Sequence, residues 1–268
     1  NKILNKNKIL APKLINQNYK NNYIEVEDFG DNTLYKLLRH NKTNKEFFFI
    51  KILKTLSRLQ LIKDKQVVNL NRQKYKVQKY DNKILLNEAK LFSEWYAPTK
   101  INKFQIRKFK KGYQNEVKKL LSKLNLKNDT FVHRDFHVSN LMYVKNNIAV
   151  IDSQDALIGN KAYDLASLVD DVRFETSNKL KNKILNNYFK KLKKTEINKF
   201  VNDFEILSVL RNLKIIGIFT RLALRDNKKK YVKMIPYAWE MINYRMKKNR
   251  EFVNLKLILK RNFPKFVK

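Results

Sequence analysis

The sequence predicts an α+β protein, mostly helical, whose few strands are kept apart from its helices. Three observations carry that expectation. Long segments space their apolar residues helically, alternating apolar residues occur only in the first tenth of the chain and around residues 130 to 151, and no internal repeat or glycine- or proline-rich linker divides the 268 residues. Such segregation argues against a parallel βαβ sheet.

Taken in order, "NNYIEVEDFGD" places apolar side chains at Tyr23, Ile24, Val26 and Phe29, then Gly30, then a helical run from Asp31 to Arg39, which reads as strand, turn, helix. In "KEFFFIKILKTLSRLQ" the spacing predicts a helix that buries Phe47, Ile50, Leu53, Leu56 and Leu59. Lys63 to Tyr80 reads as a polar connection, Lys83 to Ala97 as a helix stopped by Pro98, and Asn115 to Leu126 as another helix. Thr130 to Val132 reads as a short strand, and "LMYV" and "IAVI" as a hairpin turning at Asn146-Asn147. Helices are expected over Ala162 to Val172, Asn178 to Lys194, Phe204 to Leu224, Lys230 to Lys248 and Glu251 to Lys260. The run "LSVLRNLKIIGIFTRLAL" is apolar on most sides, so its helix belongs in the centre of the core.

Composition limits the possible classes. A chain of this length with 43% hydrophobic residues can bury a sizeable core. Its 59 basic and 24 acidic residues give a net charge of +35, but the lysines run from Lys2 to the last residue alongside abundant asparagine and isoleucine, as A/T-rich codons would produce. No basic stripe, aromatic stacking platform or recognition-helix pattern stands out, so nucleic acid is not the expected partner. The absence of cysteine excludes a disulfide-stapled secreted domain and makes the cytoplasm the default. Lysines break "EFFFIKIL" and "LKIIGIF" well short of the roughly 18 to 20 apolar residues of a membrane span, and no signal peptide is legible. The chain opens "NKILNKNKILAPKL" with no initiating methionine, as a fragment would.

Chemistry concentrates in "FVHRDFHVSNLMYVKNNIAVIDSQDALIG", Phe131 to Gly159. Asp135 precedes the expected hairpin, Asp152 follows it, and Asn140 lies between them. Mg²⁺ takes hard oxygens, usually one or two from protein carboxylates with waters and phosphates completing the shell, and Asn140 and Asp152 fit that need. Phosphoryl transfer also needs a carboxylate to orient the acceptor hydroxyl and take its proton, and Asp135 suits that role. His-Arg-Asp, four residues and then Asn is the spacing of a kinase catalytic loop.

His133-Arg134-Asp135, Asn140, Asp152 and the helix-opening Tyr163-Asp164-Leu165 together resemble the aminoglycoside phosphotransferase and choline kinase superfamily, distant relatives of protein kinases. Within it, "HRDFHVSNLM", "VIDSQDALIGNKAYDLASLVDD", "LFSEWY" and "LKIIGIFTRLALRD" are most similar to bacterial anomeric kinases of N-acetylmuramate and N-acetylglucosamine, which serve peptidoglycan recycling. The resemblance implies a protein-kinase-like fold, with residues 1–30 a remnant of the N-terminal lobe and hinge and residues 31–268 a helical C-terminal lobe. It implies ATP and Mg²⁺ as cofactors and a sugar as the small-molecule substrate, with no membrane and no obligate protein partner. It further implies Asp135 as catalytic base, His133 as a brace, Asp164 as the holder of the loop through backbone N–H groups, and Asn140 and Asp152 as metal ligands. The adenine-binding hinge falls on the backbone of Glu25, Val26, Glu27, Asp28 and Phe29.

Rival readings are weaker on the residues. His133, Asp135 and His137 spell H-x-D-x-H, a metal-hydrolase fragment, but the remaining histidine, His40, is far away in sequence. Ser153-Gln154 and the short run from Ala156 to Ala162 leave little chain for docking a peptide, so a small acceptor is favoured. Glu94, Asp155 and Asp171 are candidate acceptor contacts, Asp155 reading equally as a second-metal contact or a turn cap, and Glu94, Trp95, Asp171 and Glu175 would also suit a cationic aminoglycoside or choline. The residues before Tyr23 contain no glycine, and neither a glycine-rich phosphate loop nor an ATP-binding lysine can be placed. A truncated kinase is therefore expected, poorly active as it stands, against the alternatives of an inactive scaffold or a basic nucleic-acid-binding module.

Overall fold

In the computed structural model, which describes residues 1–40, 43–68, 72–247 and 249–267, helices dominate and every strand is short. A helical turn, α1 (Lys2–Lys6), leads to a hairpin of β1 (Leu14–Asn18) and β2 (Tyr23–Val26), the latter being the strand expected from the Tyr23–Phe29 alternation. Thr33 is extended and its hydroxyl accepts the Lys36 N–H, so α2 (Leu34–Leu38) starts at that cap and later than Asp31. Asn44 caps α3 (Lys45–Gln60) in the same way.

The buried face of α3 is Phe49, Ile52, Leu53, Leu56 and Leu59, which corrects the expected stripe at two positions. Phe47 and Ile50 are exposed, at 45% and 40%. Steps of three residues slip about 60° per step around a helix, so counting back from Leu59 by threes leaves the core face.

Lys63 to Tyr80 is a correction as well, because it contains a hairpin of β3 (Gln66–Val68) and β4 (Lys74–Lys76). Those side chains are mostly exposed, so burial imprinted no alternation on the sequence. The expected helix over Lys83 to Ala97 is α4 (Asn82–Leu91) continuing into a π-helical turn, Phe92–Tyr96, and a 3₁₀ turn, Ala97–Thr99. α5 (Lys103–Ser122) starts at an Asn102 cap, well before Asn115; Phe109 is the one buried residue before Gly112, too thin a signal to read.

Strands β5 (Asn128–Val132), β6 (Leu141–Val144), β7 (Asn147–Val150) and β8 (Leu157–Asn160) follow, β5 pairing with β8 and β6 with β7, both antiparallel. β8 has no alternating signature and was not expected. The β6–β7 turn is Lys145-Asn146, one residue earlier than Asn146-Asn147, since Asn147 pairs with Val144. Both turn residues have positive φ, 45° and 63°, as a two-residue type I′ turn requires. The remaining helices are α6 (Ala162–Val169), α7 (Asn178–Phe189), α8 (Lys194–Leu224), α9 (Ile235–Met246) and α10 (Val253–Asn262).

Contacts group the described chain into two units. The first comprises residues 1–80, 127–169 and 176–193. There α3 packs on β5, β7 and α7, and α2 packs on β6. The second comprises residues 81–126, 170–175 and 194–268. At its centre is α8, buried almost without interruption from Phe204 to Thr220, as its apolar sequence predicts. Gly217 lets α8 approach the end of α4 closely: an added Cβ would lie 2.6 Å from the Phe92 backbone nitrogen. In the same unit, Asp170 takes both arms of the Arg245 fork, at 2.7 and 3.0 Å, and a hydrogen bond from Ser208 at 2.6 Å. Among the described residues no helix is long and apolar enough to cross a membrane.

Candidate active site

The site is assembled within the first unit, where β5 ends and the β6–β7 hairpin begins and ends. Asp164, 1% exposed in the first turn of α6, holds two consecutive backbone N–H groups with its two carboxylate oxygens. Oδ2 accepts from His133 at 2.7 Å and Oδ1 from Arg134 at 2.9 Å. Such charge-assisted bonds are about twice as strong as neutral ones, and they hold Arg134 at φ 74°, a left-handed conformation that turns the chain toward Asp135.

The His133 side chain supplies a second tie. Its ring Nε2–H donates to the Ile151 carbonyl at 2.9 Å, linking the end of β5 to the residue just before Asp152. Burial pushes the imidazole pKa below its usual value, while the Ile151 carbonyl and the Asp135 and Asp152 carboxylates pull it upward. Burial dominates, so His133 is a neutral strut.

Asp135, Asn140 and Asp152 then come together. The Asp135 carbonyl accepts from the His137 N–H at 3.0 Å and from Asn140 Nδ2 at 3.2 Å. Asn140 ends a 3₁₀ turn, Val138–Asn140, and its carbonyl accepts the Ile151 N–H at 3.1 Å. Its Nδ2 also stands 3.4 Å from Asp152 Oδ2, so amide and carboxylate from opposite ends of the hairpin meet. Asp152 has φ 64°, and Gln154 Nε2 donates to its Oδ1 at 2.6 Å. The left-handed backbone turns the chain sharply where β7 ends, a conformation Asp tolerates better than most residues.

The other expected residues are more dispersed. Asp155 is exposed, and its carbonyl accepts from the Arg134 guanidinium, which lies 5.2 Å over the Tyr80 ring. Glu25 and Val26 are exposed on β2; the Glu27 N–H donates to the Lys13 carbonyl, and Asp28 Oδ1 accepts from Gly30. In the second unit, Glu94 is exposed on the π-helical turn. Asp171, 2% exposed, accepts through Oδ1 from the Arg173 N–H and guanidinium, at 3.1 and 3.3 Å. Sequence reasoning missed the Ile151 carbonyl, which has no side-chain signature, and Asp170, which the doublet Asp170-Asp171 could have flagged. Among the described residues no three His, Asp or Glu side chains cluster as a metal site, and the His133 ring faces a carbonyl, which disfavours the H-x-D-x-H reading.

A loop held by a helix-borne aspartate, with Asn and Asp converging across a short hairpin, is the arrangement of a protein-kinase-like fold. The profile of the phosphotransferase enzyme family matches residues 39–196, more than half of the chain, and the protein belongs to that family. An N-acetylmuramate/N-acetylglucosamine kinase of Neisseria meningitidis is 34% identical over 182 residues, covering 66% of this chain and 54% of that one. A protein of the same name from Pseudomonas aeruginosa is 26% identical over 255 residues, 91% of this chain and 71% of that one. The chain thus spans about half the length of the first relative. Among solved structures, a Plasmodium vivax ethanolamine kinase superposes with a TM-score of 0.59 at 16% identity, covering 91% of this chain and 69% of that one. An amicoumacin kinase superposes at 0.62 and 15%, covering 91% and 75%. At these identities the structures share the fold.

Proposed function

We propose that this protein transfers the γ-phosphoryl group of ATP, with Mg²⁺, to a hydroxyl of a small molecule, namely the anomeric hydroxyl of N-acetylmuramate or N-acetylglucosamine. The observation that carries the reaction class is the meeting of Asn140 and Asp152 beside Asp135, on a loop gripped by Asp164. The acceptor is taken from the names of the relatives.

The donor set suits a hard divalent cation. Mg²⁺ draws one or two oxygens from protein and the rest from water and phosphate. Asp152 would offer a carboxylate oxygen, and Asn140 its amide oxygen once the amide is turned over, since its nitrogen faces the carboxylate. When bound, the ion neutralises charge on the phosphates and aligns them. Asp135 orients the acceptor hydroxyl and takes its proton as the oxygen bonds to the γ-phosphorus, while the bond to the β–γ bridging oxygen breaks and ADP departs. His133 remains neutral and keeps the loop in place. Residues 1–30 are assigned the hinge side, with the backbone from Glu25 to Phe29 facing adenine; the Glu27 N–H is already engaged, so the contact falls on its neighbours.

Phosphorus NMR of the protein expressed from its full reading frame, with ATP, Mg²⁺ and each sugar, tests the proposal. A sugar phosphate resonance that disappears in Asp135→Asn is expected. Turnover of choline or an aminoglycoside, with neither sugar phosphorylated, would move the assignment to a cationic acceptor.

A further inference from the structure

Helix α6, which carries Asp164, is only eight residues long, about 12 Å. It is tethered at its C-terminal end by a residue of α7 and at its N-terminal end by Gln60 of α3, itself held by α7. At the C-terminal end, the fully buried Lys181 donates from Nζ to the Val169 carbonyl at 2.6 Å. At the N-terminal end, the Tyr188 hydroxyl donates to Gln60 Oε1 at 2.8 Å, and Gln60 Nε2 donates to the carbonyl of Lys161, the residue preceding α6, at 2.9 Å. Burial, aided by the Asp164 charge and opposed by Gln60, pushes the Tyr188 pKa far up, so its hydroxyl keeps its proton.

Lysine is almost never fully buried without a partner, because the desolvation of its amine must be offset. A helix C-terminus provides an offset: its last carbonyls lack intrahelical donors and form the negative end of the helix dipole. An apolar residue at position 181 could fill the same space but would not grip α6 along its axis. The residues that α6 holds in turn are His133 and Arg134, immediately before Asp135.

We infer that Lys181 and the Tyr188–Gln60 relay are positioning residues that fix α6 from both ends and, through Asp164, set the Asp135 loop. The catalytic consequence rests on the function proposed above; the mechanical one does not. Two readouts on the intact protein separate them: amide hydrogen exchange at His133 and Arg134, with Ile52 to Leu56 of α3 as internal reference, and steady-state phosphoryl transfer. In Lys181→Met, exchange at His133 and Arg134 accelerates about tenfold while α3 is unchanged. Turnover falls about tenfold with the KM for ATP within about twofold, and Lys181→Arg recovers part of both.

Unchanged exchange at the loop, equal acceleration in α3, or a faster loop with unchanged turnover would each overturn the inference. If Lys181→Met does not fold, Tyr188→Phe decides: about threefold faster loop exchange supports the relay and no change overturns it. If the parent protein phosphorylates no acceptor but the exchange pattern appears, the proposed function falls and the tether stands.

Discussion

Of the small antiparallel hairpins in the first unit, β1–β2 and β6–β7 differ in almost everything but topology. β1–β2 leaves Ile15, Tyr23, Ile24 and Val26 exposed, with Ile15 and Ile24 both at 59%. β6–β7 buries Leu141, Met142, Ile148, Ala149 and Val150, none above 5%. A lone two-stranded hairpin is marginally stable in water, so the second owes its rigidity to the helices packed on it. The catalytic candidates sit at the ends of that buried hairpin. Side chains that must be held within a fraction of an ångström belong on the rigid element.

The contrast can be broken most severely through chemistry. Asp135→Asn should reduce phosphoryl transfer about a thousandfold, the scale of a lost general base, while thermal unfolding followed by circular dichroism stays unchanged. A comparable loss of stability would mean that Asp135 serves the fold and not the reaction.

Packing provides the next largest effect. Leu141→Ala should cost about 3 kcal/mol in urea unfolding, because the site is enclosed and cannot fully collapse around the cavity. The matching change on the other hairpin, Ile24→Ala, should stay within about 0.5 kcal/mol. Similar values for the two would erase the distinction.

Acid should then separate the two hairpins more gently. The unfolded His133 imidazole takes its proton near the ordinary value of 6.5, and the folded one resists until a lower pH because it is buried. The unfolded state therefore binds more protons in that interval, and stability falls as the pH drops through 6.5, levelling off below the folded value. His133→Gln should flatten that part of the pH–stability curve, whereas Ile24→Ala should leave its shape alone.

Much of this was legible in the sequence, for physical reasons that also explain what was not. Phosphoryl transfer needs particular side chains at particular spacings, so Asp135, Asn140 and Asp152 stood out as candidates, and the structure places the Asn140 amide against the Asp135 main-chain carbonyl and the Asp152 carboxylate. The expected grip of Asp164 on backbone N–H groups is present as two hydrogen bonds. The Ile151 carbonyl and the strand β8 act through the main chain, which no side chain encodes. Lys181 and Gln60 looked like two more polar residues in a chain rich in them; only the full burial of the first and the two hydrogen bonds of the second distinguish them. The strands β3 and β4 were unreadable because most of their side chains are exposed, so burial imposed no alternation, and the misplaced residues of α3 came from counting in threes where a helix turns in 3.6.

Gly217 has a mechanical consequence in the second unit. Where α8 crosses the junction of Leu91 and Phe92, main chain lies against main chain. Side chains in a contact can swap rotamers and absorb a shift, as a cushion does. Bare backbones cannot, so any sliding of α8 passes undamped into the π-helical turn that bears Glu94.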